Sequence, residues 1–167
     1  MIRIPGLLLS LSLAVGLGGC LYGFGGGTGF PPGIKTVAVL PFDNLTPEPT
    51  LTNEINRAVR EAVQGRLGLR PAGEAQADAI VRGTIQRYDP DIPIAFSGDQ
   101  NQRVEVSRRK VQIVINVQIL DQQNNKVLWE RNGLSVEGDY TNNEIDGRRR
   151  AIERLITDIV DGAQSQW

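Results

Sequence analysis

The chain has 167 residues with 18 basic and 19 acidic side chains, so it lacks the strong positive charge of proteins that bind nucleic acid non-specifically. It has no histidine and one cysteine, which excludes Ser-His-Asp and Cys-His catalytic groups and His/Cys metal sites. We therefore expect a non-enzymatic protein without cofactor, metal or nucleic-acid partner. An enzyme based on two carboxylates stays open as an alternative, and it requires an acidic pair about 5–10 Å apart in a cleft.

Residues 1–19 have the organisation of a secretory signal peptide. Arg3 precedes an apolar run that ends in Gly18 and Gly19, and Cys20 follows this small pair at once. We predict that residues 1–19 are removed and that the Cys20 thiol carries a lipid anchor containing palmitate. A transmembrane helix is the first alternative, but the run falls short of the ~20 apolar residues that span a bilayer. A disulfide is the second, and it is excluded within the chain because no second cysteine exists.

Residues 20–33 are predicted to be a tether between the lipid and a folded domain. Between residues 21 and 33 lie six glycines and two prolines, a composition that does not form a regular element. The aromatic side chains Tyr22, Phe24 and Phe30 are expected either to contact the membrane interface or a partner, or to be incidental to a mobile linker.

The first half of the domain predicts a strand, a helix and a second strand. Residues 35–42 form a β-branched, nearly continuous apolar run typical of a buried strand. Residues 50–66 carry apolar side chains at helical spacing, which predicts one amphipathic helix. A strand is predicted over residues 78–88, and the Pro, Gly, Asp and Asn content of residues 89–102 predicts a loop.

The second half predicts a long hairpin followed by a helix. Apolar and polar residues alternate along residues 104–120, which predicts a strand with one buried and one wet face. Turn residues at 121–126 and a returning strand at 127–140 complete an antiparallel hairpin. Residues 143–163 form the second amphipathic helix.

These elements predict a single α+β domain over residues 34–167. Each helix has one apolar stripe, and the hairpin has one apolar face that needs a cover. The economical arrangement packs two helices on one face of a mixed, roughly four-stranded sheet.

Several segments, taken in this order, resemble the LptE family of lipopolysaccharide-assembly lipoproteins. They follow the lipidation cysteine and cover nearly the whole mature chain: residues 30–44, 78–85, 127–130, 138–140 and 150–155. The resemblance implies a two-helix, four-stranded domain at the inner leaflet of the outer membrane. It further implies an LptD-like β-barrel as partner: the protein assists the assembly of this barrel and plugs its lumen. The resemblance also implies binding of lipopolysaccharide. Leu21 stands where aspartate signals inner-membrane retention, which also favours the outer membrane.

Two basic clusters are candidates for the phosphates of lipopolysaccharide. The strand cluster is Arg108, Arg109 and Lys110, and the helix cluster is Arg148, Arg149 and Arg150 at the start of the last helix. Solvated charge on a strand edge and a helix flank is the alternative interpretation for both clusters. Cations at a helix N-terminus oppose the helix dipole, and this misfit favours a binding role for the helix cluster.

A different binding function is also consistent with the first strand. Residues 37–44 resemble envelope lipoproteins that activate peptidoglycan synthases or belong to curli-type secretion systems. An activator has to reach across the periplasm, whereas this tether of about 14 residues spans under ~50 Å when fully extended.

Overall fold

The computed structural model describes residues 30–31, 33–98 and 105–165. The predicted signal peptide, Cys20, Tyr22 and Phe24 lie outside these residues. Phe30, near the end of the predicted tether, and Ile34, the first residue of the predicted domain, are both buried in the main hydrophobic core. Phe30, a residue of the predicted tether, is therefore packed against the core of the domain.

The described part of the chain contains two long helices and a sheet. In chain order the elements are β1 (Thr36–Val39), β2 (Asp43–Asn44), α1 (Thr50–Gly65), β3 (Arg70–Pro71), a 3-10 turn (Glu74–Gln76), β4 (Ala79–Ser97), β5 (Glu105–Asp121), β6 (Lys126–Tyr140) and α2 (Glu144–Gln164). Both predicted helices and the predicted long hairpin are confirmed to within one or two residues at their ends.

The sheet is mixed, with strand order β3-β1-β4-β5-β6, and β2 additionally pairs with β4. β1 is parallel to β3 and β4, and β2 is parallel to β4, whereas β4, β5 and β6 form an antiparallel meander. The α+β class with both helices on one face is confirmed. Four longer strands match the prediction, and the described residues add two strands of two residues each.

One layer of apolar side chains joins the helices to the sheet. The alternating residues of β5 that face the helices are at most 1% exposed: Val111, Ile113, Ile115, Val117 and Ile119. They pack with the apolar stripes of α1 and α2 in one continuous core. The other face of β5 stays partly exposed, as the alternation predicts.

β4 is longer than its sequence indicates. The loop prediction is wrong for residues 89–97, because β4 continues to Ser97 and pairs with β5 as far as Glu105. Pro90 and Pro93 are tolerated because in the described structure only β5 pairs with this half of β4, and its free edge needs no amide donors. β6 ends opposite Arg109, so residues 94–97 and 105–108 extend beyond it as a two-stranded arm.

The opposite end of the sheet is fixed by Asp78. Its carboxylate accepts hydrogen bonds from the backbone amides of Lys35 and Thr36 at 3.0 and 2.9 Å and from Gln123 at 2.8 Å. The start of β1 and the β5–β6 turn are thereby joined at one point. Since β4 runs from this end towards the arm, the chain enters the domain at the end opposite the arm. Neither described helix has the length and apolar character of a membrane-spanning helix.

Candidate functional site

The sheet face away from the helices is polar. It is formed by the side chains of β5 that alternate with the core, together with their neighbours on β4 and β6. Along β5 these include Gln112, Asn116 and Gln118, all of which are partly exposed. We call this surface the polar face.

Hydrogen bonds connect side chains of the polar face across all three strands. Arg82 of β4 donates twice to Gln118 Oε1, at 3.0 and 2.8 Å. Gln112 donates to Ser135 Oγ at 2.9 Å and to Glu137 at 3.2 Å, which links β5 to β6. Most side chains of this surface therefore have partners within the domain and still retain contact with solvent.

The strand cluster lies where β5 leaves the body of the sheet and enters the arm. Arg108 contacts Asp139 Oδ2 at 2.8 Å, and Lys110 contacts Glu137 Oε1 at 2.6 Å. Arg109 pairs with Asp91 of β4, and this hydrogen bond raises the pKa of the Arg109 guanidinium. All three predicted cations are thus paired with carboxylates from neighbouring strands.

The same junction holds a buried tyrosine. Tyr140 donates its hydroxyl hydrogen to the carbonyl oxygen of Pro90 at 2.8 Å, across the base of the arm. Burial raises the pKa of the Tyr140 phenol, and the nearby Asp91 carboxylate adds to this effect. The hydroxyl therefore stays protonated at neutral pH and acts as a hydrogen-bond donor that positions the arm.

The three residues of the helix cluster have separate environments within the first turns of α2. Arg148 is 9% exposed, with guanidinium nitrogens 3.3 Å from Glu54, 3.7 Å from Glu144 and 3.8 Å from Glu48. Arg148 thus connects the N-terminal turns of α1 and α2 with the loop that precedes α1, and its guanidinium is largely shielded from solvent. Arg149 is exposed and pairs with Asp146 at 2.9 Å.

Arg150 brings the helix cluster to the strand cluster. Its guanidinium donates a hydrogen bond to the carbonyl oxygen of Asp139, whose carboxylate contacts Arg108. Arg108 and Arg150 therefore converge on one residue of β6.

The sequence assigned the two basic clusters to the correct strand and helix, but it did not show the carboxylates that pair with them. The hairpin register is the signal that could have found Asp139 and Glu137, because these residues lie opposite Lys110 and Gln112.

A separate groove of about 680 Å³ lies between α1 and α2 on the outer surface of the helical layer. Its floor contains Ala58, Ile145 and Ile156, and Ile145 is 56% exposed. Three arginines and three glutamates line the groove, so its side-chain charges cancel. Because an anionic lipid headgroup needs an excess of cations, this groove is a poorer phosphate site than the junction at Asp139.

A sequence model of the LptE family, described as lipopolysaccharide-assembly, matches residues 34–165. The chain belongs to the LptE family. The match runs from the start of β1 to the end of α2. At the level of the family, the chain is a lipopolysaccharide-assembly lipoprotein. A comparison with curated protein sequences finds no match.

Three solved structures are similar to this LptE-family chain, and the first of them supports its fold. Protein XCC0632 from Xanthomonas campestris has a TM-score of 0.54 at 13% identity, over 82% of this chain and 90% of that one. The hypothetical protein CT253 from Chlamydia trachomatis has a TM-score of 0.49 at 10% identity, over 78% and 98%. Lipoprotein GNA1162 from Neisseria meningitidis has a TM-score of 0.46 at 14% identity, over 76% and 96%.

At the junction of this LptE-family domain, Arg108 is held by an exposed ion pair, whereas Lys110 and Glu137 form a less exposed one. The side chains of Arg108 and Asp139 are 58% and 38% exposed. Exposed ion pairs contribute about 0–1 kcal/mol each, so a competing anion can replace the carboxylate at little cost. Arg148 differs, because its side chain is only 11% exposed and three partly exposed glutamates lie within 4 Å of it.

Proposed function

We propose that this protein is an outer-membrane lipoprotein that assists assembly of the lipopolysaccharide-export β-barrel and plugs its lumen. In this proposal residues 1–19 are cleaved, Cys20 carries the lipid anchor, and residues 20–33 connect it to the domain over residues 34–167. The chain enters the domain at the Asp78 end, so the arm extends away from the anchored end.

The observation that carries the proposal is the hydrogen-bonded polar face. The lumen of an outer-membrane barrel is polar and hydrated, so a plug needs a surface that remains stable in contact with water and polar side chains. The polar face meets this need across β4, β5 and β6, whereas the apolar side chains of the same strands are turned towards the helices.

We also propose that the junction at Asp139 binds the phosphates of lipopolysaccharide. Arg108 pairs with Asp139, Lys110 lies opposite Asp139 on β5, and Arg150 approaches the backbone of Asp139 from α2. Arg109 flanks this site from the other face of β5, where it pairs with Asp91. Charge-assisted hydrogen bonds from guanidinium to phosphate are stronger than neutral ones. Arg148 and Arg149 are not part of this proposed site, because the first is enclosed by glutamates and the second pairs with Asp146 away from the junction.

The plug proposal is tested by purifying the tagged, lipidated protein from outer membranes. The expected result is co-purification of a large outer-membrane β-barrel, and the variant Cys20→Ser should fail to remain in the outer-membrane fraction. Recovery of a penicillin-binding protein or a curli-secretion component in place of the barrel would overturn the proposal and support the alternative function.

The ligand proposal is tested with purified lipopolysaccharide in a pull-down. Arg108→Glu combined with Arg109→Glu should weaken binding by about tenfold or more, since two attractive charges become repulsive. Arg57→Glu combined with Arg60→Glu on exposed positions of α1 makes the same change of charge away from the junction and should leave binding intact. Equal binding by the two double variants would exclude the strand cluster.

A further inference from the structure

The outer edge of β6 has no strand beside it in the part of the chain that the structure describes. From Leu134 to Tyr140, β6 pairs with β5 at seven consecutive positions without a register shift. Gly133, with φ +67°, precedes this segment and lies next to a register shift. The segment 134–140 is therefore a regular edge that presents backbone groups to a further strand.

Helix α2 forms a wall along this edge. A groove of about 520 Å³ lies between β6 and α2, with Ser135 and Glu137 on the strand side and Arg150, Arg154 and Thr157 on the helix side. A groove between an edge strand and a helix is the geometry in which several domains bind extended peptides by strand addition.

One contact shows which backbone groups of β6 are directed towards the groove. The Arg150 guanidinium, which belongs to α2, donates a hydrogen bond to the carbonyl oxygen of Asp139. Backbone groups of alternate residues in a strand point the same way, so those of Glu137 and Ser135 share the direction of Asp139. These residues offer amide donors and carbonyl acceptors to an added strand.

The helix wall offers two cations at a spacing that matches a strand. Among the described residues, neither Arg150 nor Arg154 forms an ion pair with a carboxylate. They are four residues apart on α2, which is ~6 Å along a helix axis. Residues i and i+2 of a strand are separated by ~6.6 Å, so two side chains on one face of an added strand can reach both arginines.

The groove as a whole does not fit a polyanionic lipid headgroup. Its lining includes Glu137, Glu153 and Asp158 as well as the two arginines, so acids outnumber bases there. A peptide strand takes most of its affinity from backbone hydrogen bonds and tolerates this mixed charge.

We propose that this groove binds an extended segment of a partner polypeptide, which adds to β6 and places two acidic side chains, two residues apart, against Arg150 and Arg154. The added strand extends the sheet beneath α2. The proposal concerns a polypeptide at the β6 edge and does not depend on the identity of the barrel. It shares Arg150 with the proposed phosphate site, so peptide binding is measured without lipopolysaccharide.

The test uses the predicted mature chain, residues 20–167, with Cys20→Ser, and the synthetic peptide acetyl-TVTETETVT-amide. Backbone amides of Ser135 and Glu137 should become protected from hydrogen exchange when the peptide is added. Ser135→Pro should abolish this protection and leave the fold intact, because a proline is tolerated where the amide of an edge strand faces solvent. Arg150→Glu with Arg154→Glu should weaken binding about tenfold, and Arg149→Glu, outside the groove, should not.

Three outcomes would overturn the proposal. One is the absence of protection at saturating peptide. Another is peptide binding that survives Ser135→Pro. The third is concentration-dependent protection without peptide together with a dimeric mass, which would assign the β6 edge to a second copy of the chain.

Discussion

Gly138 of β6 and Gly147 of α2 bring the backbones of the strand and the helix into direct contact. A Cβ atom built on Gly147 would lie 2.9 Å from the carbonyl oxygen of Gly138, and one built on Gly138 would overlap the backbone of Gly147. The helix can lie this close to β6 only because neither residue has a side chain. The same contact sets the position of the first turns of α2, and with it the positions of Arg148 and Arg150.

We therefore predict that Gly138→Ala destabilises the domain by about 3 kcal/mol, at the upper end of overpacking effects, because backbone rather than a flexible side chain has to move. Urea denaturation followed by circular dichroism measures this change. Gly65→Ala is the matched control, because its Cβ would meet no atom within 4 Å at the end of α1. It should be neutral or stabilising by up to about 1 kcal/mol. Equal effects of the two substitutions would contradict the close contact.

Arg148 is predicted to be essential for stability. Arg148→Met keeps much of the apolar stem but leaves Glu48, Glu54 and Glu144 without their shared cation. Because these carboxylates are 31–33% exposed, the loss should be about 1–3 kcal/mol, which is less than the cost of a fully buried unpaired charge. Thermal unfolding at neutral pH measures the loss. Adding Glu54→Gln should restore part of it, because one repelling charge disappears. Arg149→Ala, on the exposed side of the same helix turn, should change stability by less than about 1 kcal/mol.

Asp78 is predicted to make the stability of the domain depend on pH in the acidic range. Hydrogen bonds from the Lys35 amide and from Thr36 lower the pKa of its carboxyl group in the folded state. A lowered folded-state pKa contributes stability above the unfolded-state value of ~3.9, and this contribution is lost as the pH falls through the folded-state pKa.

The measurement compares urea midpoints of wild type and Asp78→Asn between pH 7 and pH 3. At neutral pH the variant should be less stable by on the order of 1–2 kcal/mol, because hydrogen bonds to an ionised group are weakened. The difference should shrink below pH ~4 as the wild-type carboxylate is protonated. Asp158→Asn, at an exposed position, should match wild type at pH 7. A difference that is constant over the whole range would refute the role of the ionised carboxylate.

Phe30 is predicted to contribute to the folded core although it lies in a glycine- and proline-rich segment. It is 9% exposed and belongs to the main core cluster. Phe30→Ala should cost about 3 kcal/mol by loss of buried area and creation of a cavity. Phe96→Ala in the arm, where the side chain is 63% exposed, is the control and should have little effect on the unfolding midpoint. A silent Phe30→Ala substitution would show that the domain begins after the tether.

The amino-acid sequence by itself determined the elements with a strong hydrophobic period. The alternation from Val111 to Ile119 defined both faces of β5, and the apolar stripes of α1 and α2 defined the helical layer. These signals are reliable because burial of one face is a local property of strand and helix geometry. The composition alone also excluded catalytic groups and metal sites built from histidine and cysteine, because the chain has no histidine and one cysteine.

Features that depend on neighbouring elements were decided only by the tertiary structure. β4 continues through Pro90 and Pro93 because β5 pairs with it on one side, and no local pattern of residues 89–97 records that partner. The helix cluster reads as three equivalent arginines in the sequence. Burial among three glutamates makes Arg148 structural, whereas Arg150 reaches the carbonyl of Asp139. Charge partners come from distant strands and helices, so only their packing separates an internal ion pair from a cation that a ligand can reach.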